Sequence, residues 1–194
     1  MKTNIILIFT AVLFIYCSSA CSSGNNRDKA VDSIESMEDS IGRSPDTLVT
    51  GADKALDTSF AVTAADAGLT EVETGKLAIK KGQAQGVKDF GQMMVEDHGK
   101  ANAELKAIAA KKNIVLPTQP SAKHQEDIKR LQTVSGKEFD KTYADMMVSS
   151  HEEALQVFEK AAQTAADIDL KNFASKTLPV LEKHLREAQA LQQQ

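Results

Sequence analysis

Apolar residues recur every three to four positions through four long stretches of this chain, the period of a helix that buries one face. The first stretch, over residues 58–84, lines up Ala64, Gly68, Glu71, Gly75 and Ala78 on one small-sided stripe. Small residues let a neighbouring helix come close, and each glycine costs about 1 kcal/mol against alanine in a helix interior. These glycines are therefore expected to serve close packing or to leave room around the carboxylate. The second stretch, over residues 85–112, carries Val87, Gly91, Met94, His98, Leu105 and Ile108 at the same period. The third, over residues 136–166, carries Phe139, Tyr143, Met147, His151, Ala154 and Phe158, and Ser135 with Glu138 predicts a capping box at its start. The fourth, over residues 169–192, places Leu170, Ala174, Leu181, His184 and Ala188 in register. Pro179 lies inside it, so a kink just before His184 is expected.

Asn113, Pro117 and Pro120 end the second stretch, and the segment that follows is too long for a tight turn between antiparallel neighbours. Residues 121–134 read as a short helix with Ile128 and Leu131 inward. Two helix hairpins joined by such a crossover make an all-α, ferritin-like four-helix bundle.

The composition fits a single globular domain with a tail: 42% of residues are hydrophobic, 26% are charged, and tryptophan is absent. A net charge of -4 gives no basic face, so no nucleic-acid partner is expected. The N-terminus adds an address. Lys2 precedes an apolar run over residues 5–16, too short for the roughly 20 residues that span a bilayer, which reads as a secretory signal peptide over residues 1–20. Ser18, Ser19 and Ala20 before Cys21 are similar to a lipoprotein processing site, although Ser18 stands where leucine is usual. The expectation is a bacterial cell-envelope protein tied to the membrane by a lipid at Cys21, as an outer-membrane lipoprotein facing the periplasm or the surface. The alternative is a secreted or periplasmic protein cleaved near Ala20. If Cys21 is acylated and Cys17 leaves with the signal, no thiol remains, and cysteine chemistry is excluded as the function. Residues 21–58 are rich in Ser, Asp, Gly and Asn and read as an acidic tether, with a short amphipathic helix through Val31, Ile34, Met37 and Ile41. The helical domain is expected over residues 59–194.

Four polar residues interrupt the apolar stripes at matching depths. Glu71 and His98 lie almost equally far from Gln85 in opposite directions, so at 1.5 Å per residue both sit roughly 20 Å from that loop. His151 and His184 lie almost equally far from Asp167, roughly 25 Å away. A lone histidine on an apolar stripe is more often a hydrogen-bonded core residue. Three of them are harder to satisfy together, because buried polar groups must be paired. Neutral imidazole is a common transition-metal ligand, and Glu71 adds an anionic oxygen. The expected site is a single transition metal ion (Zn, Cu, Fe, Ni or Mn) held by Glu71, His98, His151 and His184. Asp97 is the best candidate for a partner that orients an imidazole N–H. Met94 and Met147 sit one turn before His98 and His151, where a thioether favours copper, although gap-filling core is the commoner role. None of the histidines follows a glutamate by three residues, so a di-iron ferroxidase site is not expected. Ser150 adjoins His151 on a different face and supports no catalytic triad, no phosphate loop is present, and His124 is expected to be exposed.

The segments AADAGLTEVETGKLAIKK, VKDFGQMMVEDHGKANAELKAIA, FDKTYADMMVSSHEEAL and LKNFASKTLPVLEKHLREAQAL, with the Leu116–Pro117 pair, give residues 60–191 a resemblance to the DUF4142 family. That resemblance implies a ferritin-like helical fold and export to the bacterial envelope, and it implies no particular reaction. The chain departs from the family pattern at Thr74, where members often carry leucine. Two functions are compatible with these residues. One is metal binding in the bundle core, and the other is a non-catalytic structural or interaction module with a metal-free polar core. No catalytic constellation identifies an enzyme.

Overall fold

The computed structural model describes residues 49–193, and the expectations for the signal peptide, for Cys21 and for the Val31 to Ile41 segment lie outside the described residues. Thr50 starts the first helix with a reciprocal capping box: its hydroxyl accepts from the Asp53 N–H, and the Asp53 carboxylate accepts from the Thr50 N–H at 2.9 Å. Helix α1 (Gly51–Lys81) thus begins earlier than Thr58, and residues 51–58 belong to the bundle rather than to a tether. Helices α2 (Gln85–Lys111), α3 (Ala122–Thr133), α4 (Gly136–Thr164) and α5 (Ile168–Leu191) follow. Among the described residues there is no strand. No helix among them is long and apolar enough to cross a membrane.

The ends of the helices show how remote side chains complete the fold. The expected Ser135 cap is not made, since its side chain bonds no backbone N–H of α4. Gly136 instead turns the chain at φ +62, a conformation that glycine adopts without penalty. The Asp140 carboxylate in α4 accepts from the N–H groups of Gln83 and Ala84, each at 2.8 Å, and so holds the α1–α2 turn. Asp57 in α1 does the same for the α4–α5 turn, accepting from Ala166 and Asp167. The crossover is fastened to α1 at both ends. Asp66 accepts from the Ser121 N–H at 2.6 Å, and Lys81 donates to the carbonyls of Gln132 and Val134. His124 also rests against Asp66 at 2.9 Å and is half-buried rather than exposed, which corrects the sequence expectation. Helix α5 continues through Pro179 without interruption.

These contacts fix the directions of the helices. The start of α1 meets the end of α4 through Asp57, and its end meets the start of α4 through Lys81 over the Phe139 ring, so the two run antiparallel. Glu104 with Lys176 and Asp97 with His184 set α2 antiparallel to α5. Helices α2 and α4 therefore run in the same direction, which two hairpins joined by one long crossover require. Within the first hairpin α1 and α2 come very close: a Cβ on Gly75 would lie 2.8 Å from the Gly91 carbonyl, and one on Gly91 would lie 2.8 Å from the Gly75 carbonyl.

The core is divided into two apolar clusters. One gathers Phe60, Leu105, Phe158, Leu170, Phe173 and Leu181, with the Phe60 and Phe158 rings edge to face at 5.2 Å. The other gathers Phe90, Met94, Leu131, Phe139, Tyr143 and Met147. Along every helix of the bundle the polar residues Glu71, His98, His151 and His184 fall between the two.

Candidate metal centre

Each long helix contributes one side chain to this polar layer because each apolar stripe is interrupted once at that depth. All four are shut off from solvent, with relative exposures of 2% for Glu71, 6% for His98 and 0% for His151 and His184. The three imidazole rings surround one point, with centroids 5.2 to 5.6 Å apart. One nitrogen from each ring lies within 4.8 Å of the others, which suits ligation of one ion.

Hydrogen bonds decide which nitrogens are left free to ligate. His98 Nδ1 meets the Glu71 Oε2 oxygen at 3.0 Å. His151 Nδ1 meets the Met147 carbonyl, one turn earlier in α4, at 2.8 Å. His184 Nε2 meets the Asp97 carboxylate at 3.2 Å. Carbonyls and carboxylates accept, so each of these ring nitrogens carries the hydrogen and donates. The remaining nitrogens, His98 Nε2, His151 Nε2 and His184 Nδ1, are buried and have no hydrogen-bond partner. Leaving a buried polar atom unsatisfied costs about 1–3 kcal/mol. Three such atoms, one on each of three adjoining rings whose other nitrogen donates to an oxygen, are what metal-ligating histidines present. The residues present therefore fit a metal ion.

The charges are arranged to match. Burial pushes the Glu71 carboxyl upward, but His98, His151 and the hydrogen bond from His98 outweigh it and hold the group down to about 2. Burial lowers His98, yet the Glu71 charge and hydrogen bond prevail and its pKa is raised. His151 is lowered by burial, and His184 is lowered to about 4 by burial and by the other two imidazoles. The layer thus consists of one carboxylate paired with His98 and two imidazoles that stay neutral at pH 7.

The four residues that sequence spacing puts at one depth do meet in one layer, and the structure differentiates their surroundings. Glu71 faces His98 Nδ1 and approaches His151 Nδ1 at 3.7 Å, behind the rings rather than among the three unpartnered nitrogens. Asp97 orients His184 rather than its neighbour His98. Met94 and Met147 are buried in the adjoining apolar cluster, and Met147 serves the site through its carbonyl. Ser150, expected on a different face from His151, brings its hydroxyl to 3.4 Å from Glu71. One helical step of about 100° separates it from His151, and only the position of α1 turns that step toward the carboxylate.

Comparison with curated proteins gives no match, and comparison with solved structures gives none. A family model described as a domain of unknown function, DUF4142, matches residues 44–191, which includes all five helices and every residue of the polar layer. The chain belongs to the DUF4142 family.

Proposed function

We propose that this protein binds a single transition metal ion in the bundle core through His98 Nε2, His151 Nε2 and His184 Nδ1. Glu71, the Met147 carbonyl and Asp97 orient the three rings from behind. The observation that carries this reading is the set of three buried, unpartnered nitrogens whose opposite ring nitrogens all donate to oxygen. When bound, an ion with three protein nitrogens retains a coordination position for water or another small ligand. Borderline ions that favour imidazole, Zn and Cu foremost, suit the set better than Mg or Ca, which favour oxygen.

The site of action in this reading is the bacterial cell envelope. Lys2, the short apolar run and the small residues before Cys21 support export and lipid attachment at that cysteine. Loss of labelled palmitate from the chain on Cys21→Ser substitution is the expected result; equal labelling of both chains counts against anchoring there.

A second reading takes the layer as a metal-free polar core that sets helix register, favoured by the 3.0 Å pairing of Glu71 with His98. Elemental mass spectrometry separates the two. The full-length chain from metal-replete medium is compared with a variant carrying His98→Ala, His151→Ala and His184→Ala. Near-stoichiometric metal in the wild type alone, with a melting temperature that a chelator lowers, supports the metal centre. No metal after reconstitution with Zn, Cu, Fe, Ni and Mn, and melting indifferent to chelator, leaves the structural core.

A further inference from the structure

A cavity of ≈ 520 Å³ opens between α1 and α4 beneath the crossover helix α3. Its size lies in the range of small-molecule sites, roughly 300–1,000 Å³. The walls are apolar, formed by Ala64, Ala67, Met147, Ala154, Val157 and Phe158. Glu71 and Ser150 supply polar groups where the cavity reaches the bundle interior.

These two groups are incompletely satisfied. The Oε2 oxygen of Glu71 is taken by His98, but Oε1 has only the Ser150 hydroxyl at 3.4 Å and His151 Nδ1 at 3.7 Å. That His151 nitrogen is already committed to the Met147 carbonyl at 2.8 Å. The Ser150 hydroxyl has its partners at 3.3 to 3.5 Å, all beyond the usual 2.5–3.0 Å for a hydroxyl donor to oxygen. A buried carboxylate oxygen with an open acceptor direction calls for a donor.

The rim decides the charge of that donor. Ion pairs take Asp127 with Arg130, Asp145 with Lys141 and His124 with Asp66. Among the described residues no ion pair engages Glu138, Glu153 or Lys123, which also line the cavity. The charge left over is acidic on the rim, with Glu71 beneath it. Glu138 and Glu153 outnumber Lys123 by one, so the unpaired rim charge favours a cation over an anion.

We propose that this cavity binds a small organic cation, a protonated amine on an apolar body. Its ammonium group donates to Glu71 Oε1 and Ser150 Oγ, and its apolar part lies against Ala64, Ala67, Val157 and Phe158. The site is separate from the three unpartnered imidazole nitrogens and does not depend on a metal being bound there.

The test uses the full-length protein after chelator treatment, so that it stands apart from the metal reading. Binding of phenethylamine, 2-phenylethanol and phenylacetate is measured by ligand-observed nuclear magnetic resonance. The amine should bind about tenfold more tightly than the alcohol, the scale of one charge-assisted hydrogen bond, and the carboxylate should not bind. Ala67→Phe fills the cavity from a position that leaves Glu71 intact, and it should abolish amine binding while preserving the melting temperature. Glu71→Gln should bring the amine down to the level of the alcohol. If that variant does not fold, the three-compound comparison and Ala67→Phe still decide. No amine binding, equal binding of all three compounds, or unchanged binding in Ala67→Phe overturns the proposal.

Discussion

Glu71 and His98 meet at 3.0 Å between antiparallel helices, both buried, and each moves the other's ionisation in the direction that strengthens the pair. Removing one partner of a buried pair is expected to destabilise by about 3–5 kcal/mol, because the other charge is left uncompensated. Glu71→Ala should therefore melt far below the wild type. Glu71→Gln keeps the shape and should weaken metal binding about 10–100-fold, as loss of an orienting partner does. Competition with a chromophoric chelator measures this; unchanged affinity would mean that Glu71 does not serve the rings.

Asp97 offers a cleaner separation of stability from binding. Its side chain is 32% exposed, so water reaches the place it vacates and can accept from His184 Nε2 in its stead, and Asp97→Ala should change metal-free stability by less than about 1 kcal/mol. Metal affinity should nevertheless fall about tenfold or more, because no carboxylate then holds the hydrogen on His184 Nε2. A large loss of stability without metal would show that Asp97 serves the fold instead.

Acid should destabilise the metal-free protein in a defined window. His151 and His184 have lowered pKa values in the folded state, so their neutral forms are favoured there, and the unfolded chain binds more protons below pH 6.5. Their contribution is present above pH 6.5 and is lost as the pH falls toward about 4, the folded value of His184. The Glu71 contribution is present above about 4.5 and is lost toward about 2. His98 acts oppositely, since its raised pKa contributes stability below 6.5 that is lost as the pH rises through the folded value. Urea midpoints of wild type and His184→Gln between pH 7 and 4 check the balance. The wild type should lose more on acidification than the variant, and parallel curves would refute the neutral burial of His184.

Two glycines in α2 should respond in opposite ways. Gly91→Ala puts a methyl group 2.8 Å from the Gly75 carbonyl, which forces the helices apart and should cost about 1–3 kcal/mol. Gly99 has nothing within 4 Å of an added Cβ, so Gly99→Ala should stabilise by about 1 kcal/mol through helix propensity. Thermal melting of both variants checks the contrast, and stabilisation by Gly91→Ala would refute the close contact.

The helices were legible because burial on one side of a helix writes a period of 3.6 into the chain, and the depth of the polar layer followed from helical rise alone. The start of α1 was not legible. Residues near Asp57 are polar and look like tether, yet Asp57 is buried because it holds the α4–α5 turn, a partner more than a hundred positions away. The Ser135 capping box failed for the opposite reason: a local pattern was present, but the chain turns through Gly136 instead.

Sequence by itself determined that four helices would each bring one polar side chain to the same level of an apolar core, since period and rise are properties of one helix. Only the tertiary structure decided which atoms face which. Whether Glu71 stands among the imidazoles or behind them, whether Asp97 serves His98 or His184, and whether Ser150 reaches a cavity all depend on how neighbouring helices are rotated about their axes. Packing between helices sets that rotation, because Gly75 and Gly91 permit one close approach and Asp57, Asp140 and Lys81 fasten the others.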